Sequence, residues 1–174
     1  MSFTSNHDEN SWSGSEQSRF GRALEVMTAM TFLMPSTMPL IYTGQEVGYD
    51  HSFEFFDRDP IPEDSYRENR TTELYRRLAV LKHSERALAA GAVGGEMIEI
   101  ENNAKDCMFS FVREVDGSRV VAIVNLSPYT IQADFHTGIY AGDYRDALTG
   151  EKEELKEHFE QDLAPWSYRI LVKK

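Results

Sequence analysis

The residues best suited to chemistry stand together near the start of the chain, in the stretch Asn6-His7-Asp8-Glu9-Asn10. The carboxylate of Asp8 can accept hydrogen bonds from two neighbouring hydroxyl groups, and the imidazole of His7 can donate or accept one. Such a pair is typical of the rim of a sugar-binding or sugar-cleaving site. The same cluster is also typical of a polar cap that opens a helix, and spacing alone does not separate the two interpretations.

The elements around this cluster are predicted to be the end of a strand and a long helix. Residues 3–10 are predicted to form a strand end and a loop that continues to Ser15, and a helix is predicted from Glu16 to Met34. The following run, Met38–Thr43, is short and continuously apolar, which is typical of a strand buried on both faces of a parallel sheet. Strand, helix and buried strand in this order indicate a βα-barrel or a doubly wound sheet.

A long loop and a second helix are predicted next. Residues 45–64 are rich in aromatic and acidic side chains, and loops of this length are usually functional or mobile. Asp64 or Ser65 is expected to cap a helix that runs to about Lys82. Its apolar stripe is predicted to consist of Leu74, Tyr75, Leu78 and Leu81. Glu46 is expected to hold the loop by hydrogen bonding, an interpretation favoured over that of a catalytic acid.

The pattern changes after Ala87, where glycines are followed by short alternating runs. Asp116-Gly117 lies between two of these runs and predicts a hairpin. Several short strands with regular turns indicate a small antiparallel β-sandwich in residues 88–174. The predicted strands are Met97–Ile100, Cys107–Val115, Arg119–Leu126, Thr130–Phe135, Tyr144–Leu148, a stretch within Leu155–Phe159, and Tyr168–Val172.

Composition limits the classes of partner. A formal net charge of −11 over 174 residues argues against binding to nucleic acids or to anionic membrane surfaces. Polar residues follow Met1, and prolines interrupt the apolar run 26–42, so neither a signal peptide nor a membrane span is predicted and the location stays open. The single cysteine, Cys107, is expected to be a buried small hydrophobe, and the five histidines show no metal-ligand spacing, so no metal or cofactor is predicted.

Two strings carry a resemblance to a known family. Phe3-Thr4-Ser5-Asn6-His7-Asp8 resembles the last short signature of the α-amylase family, glycoside hydrolase family 13, and residues 38–48 resemble its eighth barrel strand. Residues 55–61 and 75–82 are similar to the next loop and helix, and Asn125-Leu126-Ser127 is similar to part of the family's C-terminal β-sandwich. The resemblance implies the fold class α+β. A partial (β/α) barrel fragment of two helices and one or two short strands would occupy residues 1–87, followed by the antiparallel β-sandwich in residues 88–174.

The resemblance also implies roles for the first cluster. Asp8 would be the carboxylate that stabilises the transition state, and His7 and Asn6 would bind hydroxyl groups of an α-glucan or oligosaccharide. The family's nucleophilic Asp and acid/base Glu lie after barrel strands four and five, and a complete barrel takes about 250 residues. Residues 1–87 have no room for these strands. The chain is therefore expected to be the C-terminal portion of a glycosidase and to be inactive alone, with calcium implied only for a full-length parent.

Four further expectations accompany this interpretation. The alternative function is a non-catalytic carbohydrate-binding or scaffold module that packs on a barrel. Aromatic residues near the cluster could stack on sugar rings, although local packing is favoured for each: Trp12, Tyr49, Phe53, Phe55 and Phe56. Trp166 and Tyr168 are expected in the sandwich core. A barrel fragment with two strands leaves apolar surface uncovered, so a homodimer formed through residues 20–45, or partial disorder of that region, is expected.

Overall fold

The computed structural model describes residues 1–174 and contains four α-helices and two antiparallel sheets. The helices are His7–Ser13 (α1), Glu16–Phe20 (α2), Leu24–Leu33 (α3) and Arg70–Ser84 (α4). The strands are Glu96–Glu99 (β1), Glu101–Asn102 (β2), Met108–Val115 (β3), Ser118–Asn125 (β4), Ile131–His136 (β5), Gly142–Asp146 (β6), Lys152–Leu155 (β7), His158–Leu163 (β8) and Tyr168–Lys173 (β9). This architecture confirms the α+β fold class. None of the helices has the length and apolar content needed to cross a membrane.

The helix predicted from Glu16 to Met34 is divided in two. The hydroxyl of Ser15 accepts a hydrogen bond from the backbone N–H of Ser18 and caps α2. Gly21 then takes a φ of +49°, which L-residues with a side chain rarely adopt, and opens a 3₁₀ turn over Gly21–Ala23. The chain resumes a regular helix at Leu24. The prediction therefore had the right extent but missed this break.

The buried strand predicted at Met38–Thr43 is wrong. This segment makes only an isolated parallel bridge, between Ser2 and Pro39, with Ser2 N–H donating to Met38 O (2.9 Å) and Leu40 N–H donating to Ser2 O (2.9 Å). Met38 is 62% exposed and Ile41 is 43% exposed. The apolar pattern is typical of a strand that lies between two other strands. Within this chain the segment pairs on one side only, through the two hydrogen bonds with Ser2.

Helix α4 begins four or five residues later than predicted, because Asn69 and not Ser65 or Asp64 caps it. The side chain of Asn69 accepts from the N–H groups of Thr71 and Thr72, and the Thr72 hydroxyl accepts from the Asn69 N–H, which completes a capping box. Residues 63–65 form a separate 3₁₀ turn. The predicted stripe is confirmed, with Tyr75, Leu78 and Leu81 buried and Leu74 packed beside them.

The sandwich consists of a six-stranded sheet, in the order β1-β3-β4-β9-β6-β7, and a three-stranded sheet, in the order β2-β5-β8. The hairpin at Asp116-Gly117 is confirmed: both residues have positive φ, +48° and +83°, as a two-residue turn between β3 and β4 requires. The single strand expected within Leu155–Phe159 is wrong. Two strands, β7 and β8, meet there on either side of Lys156-Glu157 and belong to different sheets.

Strand β4 is buried on both faces and separates two cores. Val120, Ala122 and Val124 pack with α3 and α4 in one cluster, whereas Val121 and Ile123 face the three-stranded sheet in the other. Trp166 and Tyr168 are partly buried against the first cluster. Cys107 is half-buried and not fully buried as expected, because it stands in a turn just before β3. The division at residues 87/88 stays a prediction, and the first core extends across it.

A buried arginine joins the helices to the sheet. Arg113 of β3 is completely buried and has no carboxylate partner. Its guanidinium donates twice to Gly95 O (3.0 and 2.9 Å), once to Leu33 O (3.0 Å) and once to Met34 O (3.1 Å). The last two carbonyls lie at the C-terminal end of α3, where carbonyls have no partner within the helix. Arg113 therefore caps α3 from the sheet.

Candidate functional site

The predicted site residues stand at the start of α1. Asn6 is its N-cap, and Asn6 Oδ1 accepts a hydrogen bond of 2.8 Å from the Glu9 N–H. The loop predicted through residues 7–13 is therefore wrong, because this cap starts a short helix at His7, five residues after the bridged residue Ser2. The cap interpretation of the cluster holds for Asn6, and it leaves the side chains of His7 and Asp8 free for other contacts.

His7 and Asp8 lie side by side in the first turn of α1 and face solvent. His7 Nε2 is 3.5 Å from Asp8 Oδ2, and the two side chains are 69% and 60% exposed. Glu9 turns away and lies 3.4 Å from the guanidinium of Arg19. The structure thus brings Asn6, His7 and Asp8 together, with the oxygen of Asn6 engaged in the cap and its NH₂ group left as a possible donor.

A buried polar network lies beneath this turn, and sequence reasoning missed it. The Gln45 amide NH₂ donates to Thr4 Oγ1 (2.9 Å) and to the carboxylate of Glu16, while Gln45 Oε1 accepts from the N–H of Tyr42. The Thr4 hydroxyl also donates to Glu16. Burial raises the pKa of Glu16, and the hydrogen bonds from Thr4 and Gln45 oppose part of that rise. The role predicted for Glu46 therefore belongs to its neighbour Gln45, which ties residues 42–45 to the base of the site.

A second polar clamp orders the long loop after residue 48. Asn10, at 4% exposure, donates from Nδ2 to His51 O (2.8 Å) and accepts at Oδ1 from the Phe53 N–H (2.7 Å). Asp59 accepts from the Glu54 N–H (3.0 Å) and is 2.7 Å from His51 Nε2. The backbone hydrogen bond from Glu54, followed by the one from His51, lowers the pKa of Asp59. No sequence pattern indicated the pairings of Asn10, which join residues 41 and 43 positions apart.

An aromatic cluster lies next to His7. The Phe55 ring is centred 6.0 Å from the His7 ring, 5.3 Å from Trp12 and 4.8 Å from Phe56. Trp12 is 67% exposed and Phe56 is 84% exposed. Tyr49 and Phe53, by contrast, pack around His51 within the loop. The five aromatic residues therefore divide into a cluster of three, of which Phe55 contacts His7, and two that pack within the loop.

Two hollows of the helical part lie beside the site and not at it. One, of about 330 Å³, lies between the α2–α3 turn and the first turn of α4, with Glu16, Glu25 and Tyr75 in its wall. The other is a mainly apolar groove of about 410 Å³ whose wall includes Met1, Phe3, Phe20, Met27, Met30 and Met34. Neither includes His7 or Asp8. No group of three or more His, Cys, Asp or Glu side chains is placed to hold a metal ion.

Comparison with known proteins shows which folds this chain resembles. Residues 99–169 match the family model described as the alpha amylase, C-terminal all-beta domain. A search of the curated proteins finds no match. The chain is similar in structure to a noncanonic maltogenic α-amylase, AmyB, from Thermotoga neapolitana, with a TM-score of 0.77 and 20% identity over 98% of this chain and 40% of that one.

Two further solved structures have the same arrangement. An α-amylase from Lactobacillus plantarum gives a TM-score of 0.70 and 20% identity, over 100% of this chain and 38% of its own. AmyP in complex with maltose gives 0.65 and 17%, over 91% and 36%. The chain thus spans about 40% of the length of the first of these amylases. Its fold is that of the C-terminal portion of α-amylase-family enzymes, in which helices of a barrel are followed by the all-β domain.

Proposed function

We propose that this chain, which has the fold of the C-terminal portion of α-amylase-family enzymes, supplies part of the active site of an α-glucan-active glycoside hydrolase. The observation that carries the proposal is the exposed pair His7–Asp8 on the first turn of α1. Asp8 is assigned the stabilisation of the transition state, and His7 and Asn6 are assigned the binding of sugar hydroxyls. Maltose in the complex with AmyP supports an α-glucan as the substrate class.

The chemistry of glycoside cleavage suits such a pair. The transition state resembles an oxocarbenium ion, and hydrogen bonds to ring hydroxyls that strengthen as it forms accelerate the reaction. An ionised carboxylate accepts two such bonds, and the neighbouring imidazole supplies a donor. Gln45 donates to Thr4 just before α1, and Asn10 donates to His51 O, so the backbone that carries the two groups is held on both sides.

The chain alone is proposed to be inactive. A glycosidase needs a nucleophile or base and an acid in addition to a group that stabilises the transition state. The segments that resemble the family signatures for those two groups do not occur in these 174 residues. The test is an assay of reducing ends released from maltoheptaose by the purified chain. A rate above background that is lost in Asp8→Asn, and kept in the surface control Asp106→Asn, contradicts this part of the proposal.

Sugar binding is tested separately from cleavage. Titration of the chain with maltotriose, followed by NMR, should shift signals of His7 and its neighbours, and Asp8→Ala should weaken the effect. Trp166→Ala should not change it, because Trp166 packs against the core between helices and sheet. If Trp166→Ala and not Asp8→Ala abolishes binding, the sugar contacts the sandwich and the assignment to Asp8 is wrong.

A second candidate function is that of a non-catalytic scaffold or carbohydrate-binding module. It is favoured by the packing of the six-stranded sheet on α3 and α4, where side chains such as Phe111 and Ile170 meet Phe32 and Leu78 in one buried cluster. In this interpretation the sandwich stabilises a barrel without touching substrate. Absence of any maltotriose-induced shift, in a chain that folds normally, favours the scaffold over the first candidate, whereas a shift that Trp166→Ala abolishes and Asp8→Ala does not favours the carbohydrate-binding module.

We further propose that a second copy of the chain covers the groove formed with Phe3, Met27 and Met30. The groove is mainly apolar, and half of the residues that line it, such as Met27 and Met30, lie within residues 20–45. Ser2, which also lines it, pairs with the incompletely paired segment Met38–Thr43. Light scattering should give the mass of a dimer, and Phe3→Lys should give that of a monomer. The matched control is Ile139→Lys, at a residue that is 83% exposed on the sandwich. A monomeric wild-type chain with protected amides in residues 40–42 contradicts the proposal.

A further inference from the structure

Two histidines meet on the outer face of the three-stranded sheet. His136 ends β5 and His158 begins β8, and they are direct partners in the antiparallel register. Their ring centroids are 4.2 Å apart, and the ring planes are inclined by 77°. Both residues are exposed. They lie 22 positions apart in the sequence, so only the pairing of β5 with β8 brings them together.

Carboxylates surround this pair. Glu101 of β2 is the register partner of His136, so Glu101, His136 and His158 form one row across the three strands. Side chains two positions apart lie on the same face of a strand. Asp134 and Glu160, which are partners in the same ladder, therefore form the adjacent row. Strands β2, β5 and β8 contain no Lys or Arg. A cation that approaches this face meets imidazole and carboxylate groups and no positive side chain from these strands.

We propose that His136 and His158 bind a divalent transition-metal ion, with Zn²⁺ as its representative, between β5 and β8. Directly opposed residues of an antiparallel pair have Cβ atoms about 4.5–5.5 Å apart. Zinc binds imidazole nitrogen at about 2.0–2.1 Å, so rotation of the two side chains brings both rings onto one ion. Imidazole ligands favour Zn²⁺, Cu²⁺ and Ni²⁺, whereas carboxylates and water alone favour Mg²⁺ and Ca²⁺.

The site is open. Since no three side chains of the His, Cys, Asp or Glu type are placed around one point, two imidazoles are the protein ligands and water completes the coordination. Glu101 lies in the same row and contributes negative charge beside the ion. The ion joins β5 to β8 through side chains, in addition to the backbone ladder from Ile131 to His136. Because the unfolded chain does not hold the two histidines together, binding stabilises the folded chain.

The test is calorimetric titration of the purified chain with ZnCl₂, NiCl₂ and MgCl₂. We expect one Zn²⁺ or Ni²⁺ per chain with a dissociation constant in the micromolar range, and no binding of Mg²⁺. His136→Gln and His158→Gln should each weaken Zn²⁺ binding by about tenfold or more, since even outer contacts of metal ligands contribute 10–100-fold. His83→Gln, at an exposed histidine in the last turn of α4, is the matched control and should leave it unchanged.

Two variants test whether other side chains of the chain bind the Zn²⁺ instead. Cys107→Ser removes the thiol, and His7→Gln removes the imidazole next to Asp8. Saturating Zn²⁺ should raise the thermal midpoint of the wild type and of both of these variants, but not that of His158→Gln. Unchanged Zn²⁺ binding in both His136→Gln and His158→Gln overturns the proposal. Equal binding of Mg²⁺ and Zn²⁺ also overturns it, because it identifies a carboxylate cluster as the binding group.

Discussion

Replacement of Arg113 by Met is expected to destabilise the whole chain, although residue 113 is remote in sequence from the helices it contacts. The side chain volumes are similar enough for Met to fill much of the space, so the main loss is of hydrogen bonds. The carbonyls of Leu33, Met34 and Gly95 lose the donors that Arg113 provides. They lie in or beside a core that excludes water, which leaves them without partners.

The magnitude follows from the number of carbonyls. Each buried polar group without a partner costs about 1–3 kcal/mol, so three such groups cost about 3–9 kcal/mol. Removal of a buried charge that has no carboxylate partner returns part of its desolvation penalty. The same desolvation by burial lowers the pKa of Arg113. We therefore expect a net loss of about 3–5 kcal/mol, a large fraction of the 5–15 kcal/mol typical of folded domains.

Urea denaturation followed by circular dichroism measures this loss. With a slope near 2 kcal/mol/M, the midpoint of Arg113→Met should fall by about 2 M. The control is Arg145→Met, which removes an exposed arginine of β6 that donates to Gly150 O, and it should shift the midpoint by less than about 0.3 M. Hydrogen exchange should also speed up at the end of α3. If the two variants have equal midpoints, the guanidinium does not hold α3 to the sheet and the reasoning fails.

Three other predictions concern the loop, a half-buried amine and the hairpin. Asn10→Ala removes both hydrogen bonds that clamp residues 51–53, so limited proteolysis should cut residues 51–59 faster, with a local loss of about 1–3 kcal/mol; equal cleavage of wild type and variant contradicts this. Burial, with a smaller contribution from Arg113, lowers the pKa of Lys82 to about 8 from 10.5. Below pH 8 the folded state therefore pays the full cost of keeping the Lys82 ammonium charged and partly buried. Between pH 8 and 10.5 the folded chain releases this proton while the unfolded chain keeps it, so the free energy of unfolding rises. Lys82→Met should remove that rise and stabilise the chain at pH 7, as urea midpoints across this range will show; a rise that persists in the variant assigns it to another group. Gly117→Ala places a Cβ at a φ of +83° and should lower stability by about 1 kcal/mol in the same assay, and an unchanged midpoint means that the turn relaxes freely.

Sequence patterns predicted the structure correctly where the residues of a single element are sufficient to determine it. The alternation in residues 108–125 and the Asp-Gly turn are sufficient to define a hairpin, because turn geometry and pleat agree. The stripe of α4 likewise follows from helical spacing. The start of α4 was misplaced because several residues before it can cap a helix, and only Asn69 has the extended backbone and the Thr72 partner that a capping box needs.

The failures share a cause in contacts between distant parts of the chain. The segment Met38–Thr43 has the composition of a central strand, but its pairing depends on neighbours that its own residues do not specify. The pairing of His136 with His158 depends on the register of two strands, which no spacing rule reveals. The placement of Asn6, His7 and Asp8 together could be anticipated because they are consecutive. Their support by Gln45 and Asn10 could not, because it joins the start of the chain to residues about 40 positions later.

The double burial of β4 has a consequence for recombination between related enzymes. Its even- and odd-numbered residues pack against different partners: Val120 and Val124 contact the helices, and Val121 and Ile123 face the smaller sheet. A chimera that exchanges the all-β half as a block transfers both sets of β4 side chains at once. The set that packs on α3 and α4 then meets helices from the other parent. Exchange of the alternate positions alone, together with Phe111 and Ile170, keeps each surface with its own partner. A chimera of this fold is therefore better designed by exchanging alternate side chains of β4 than by joining two sequences at one point.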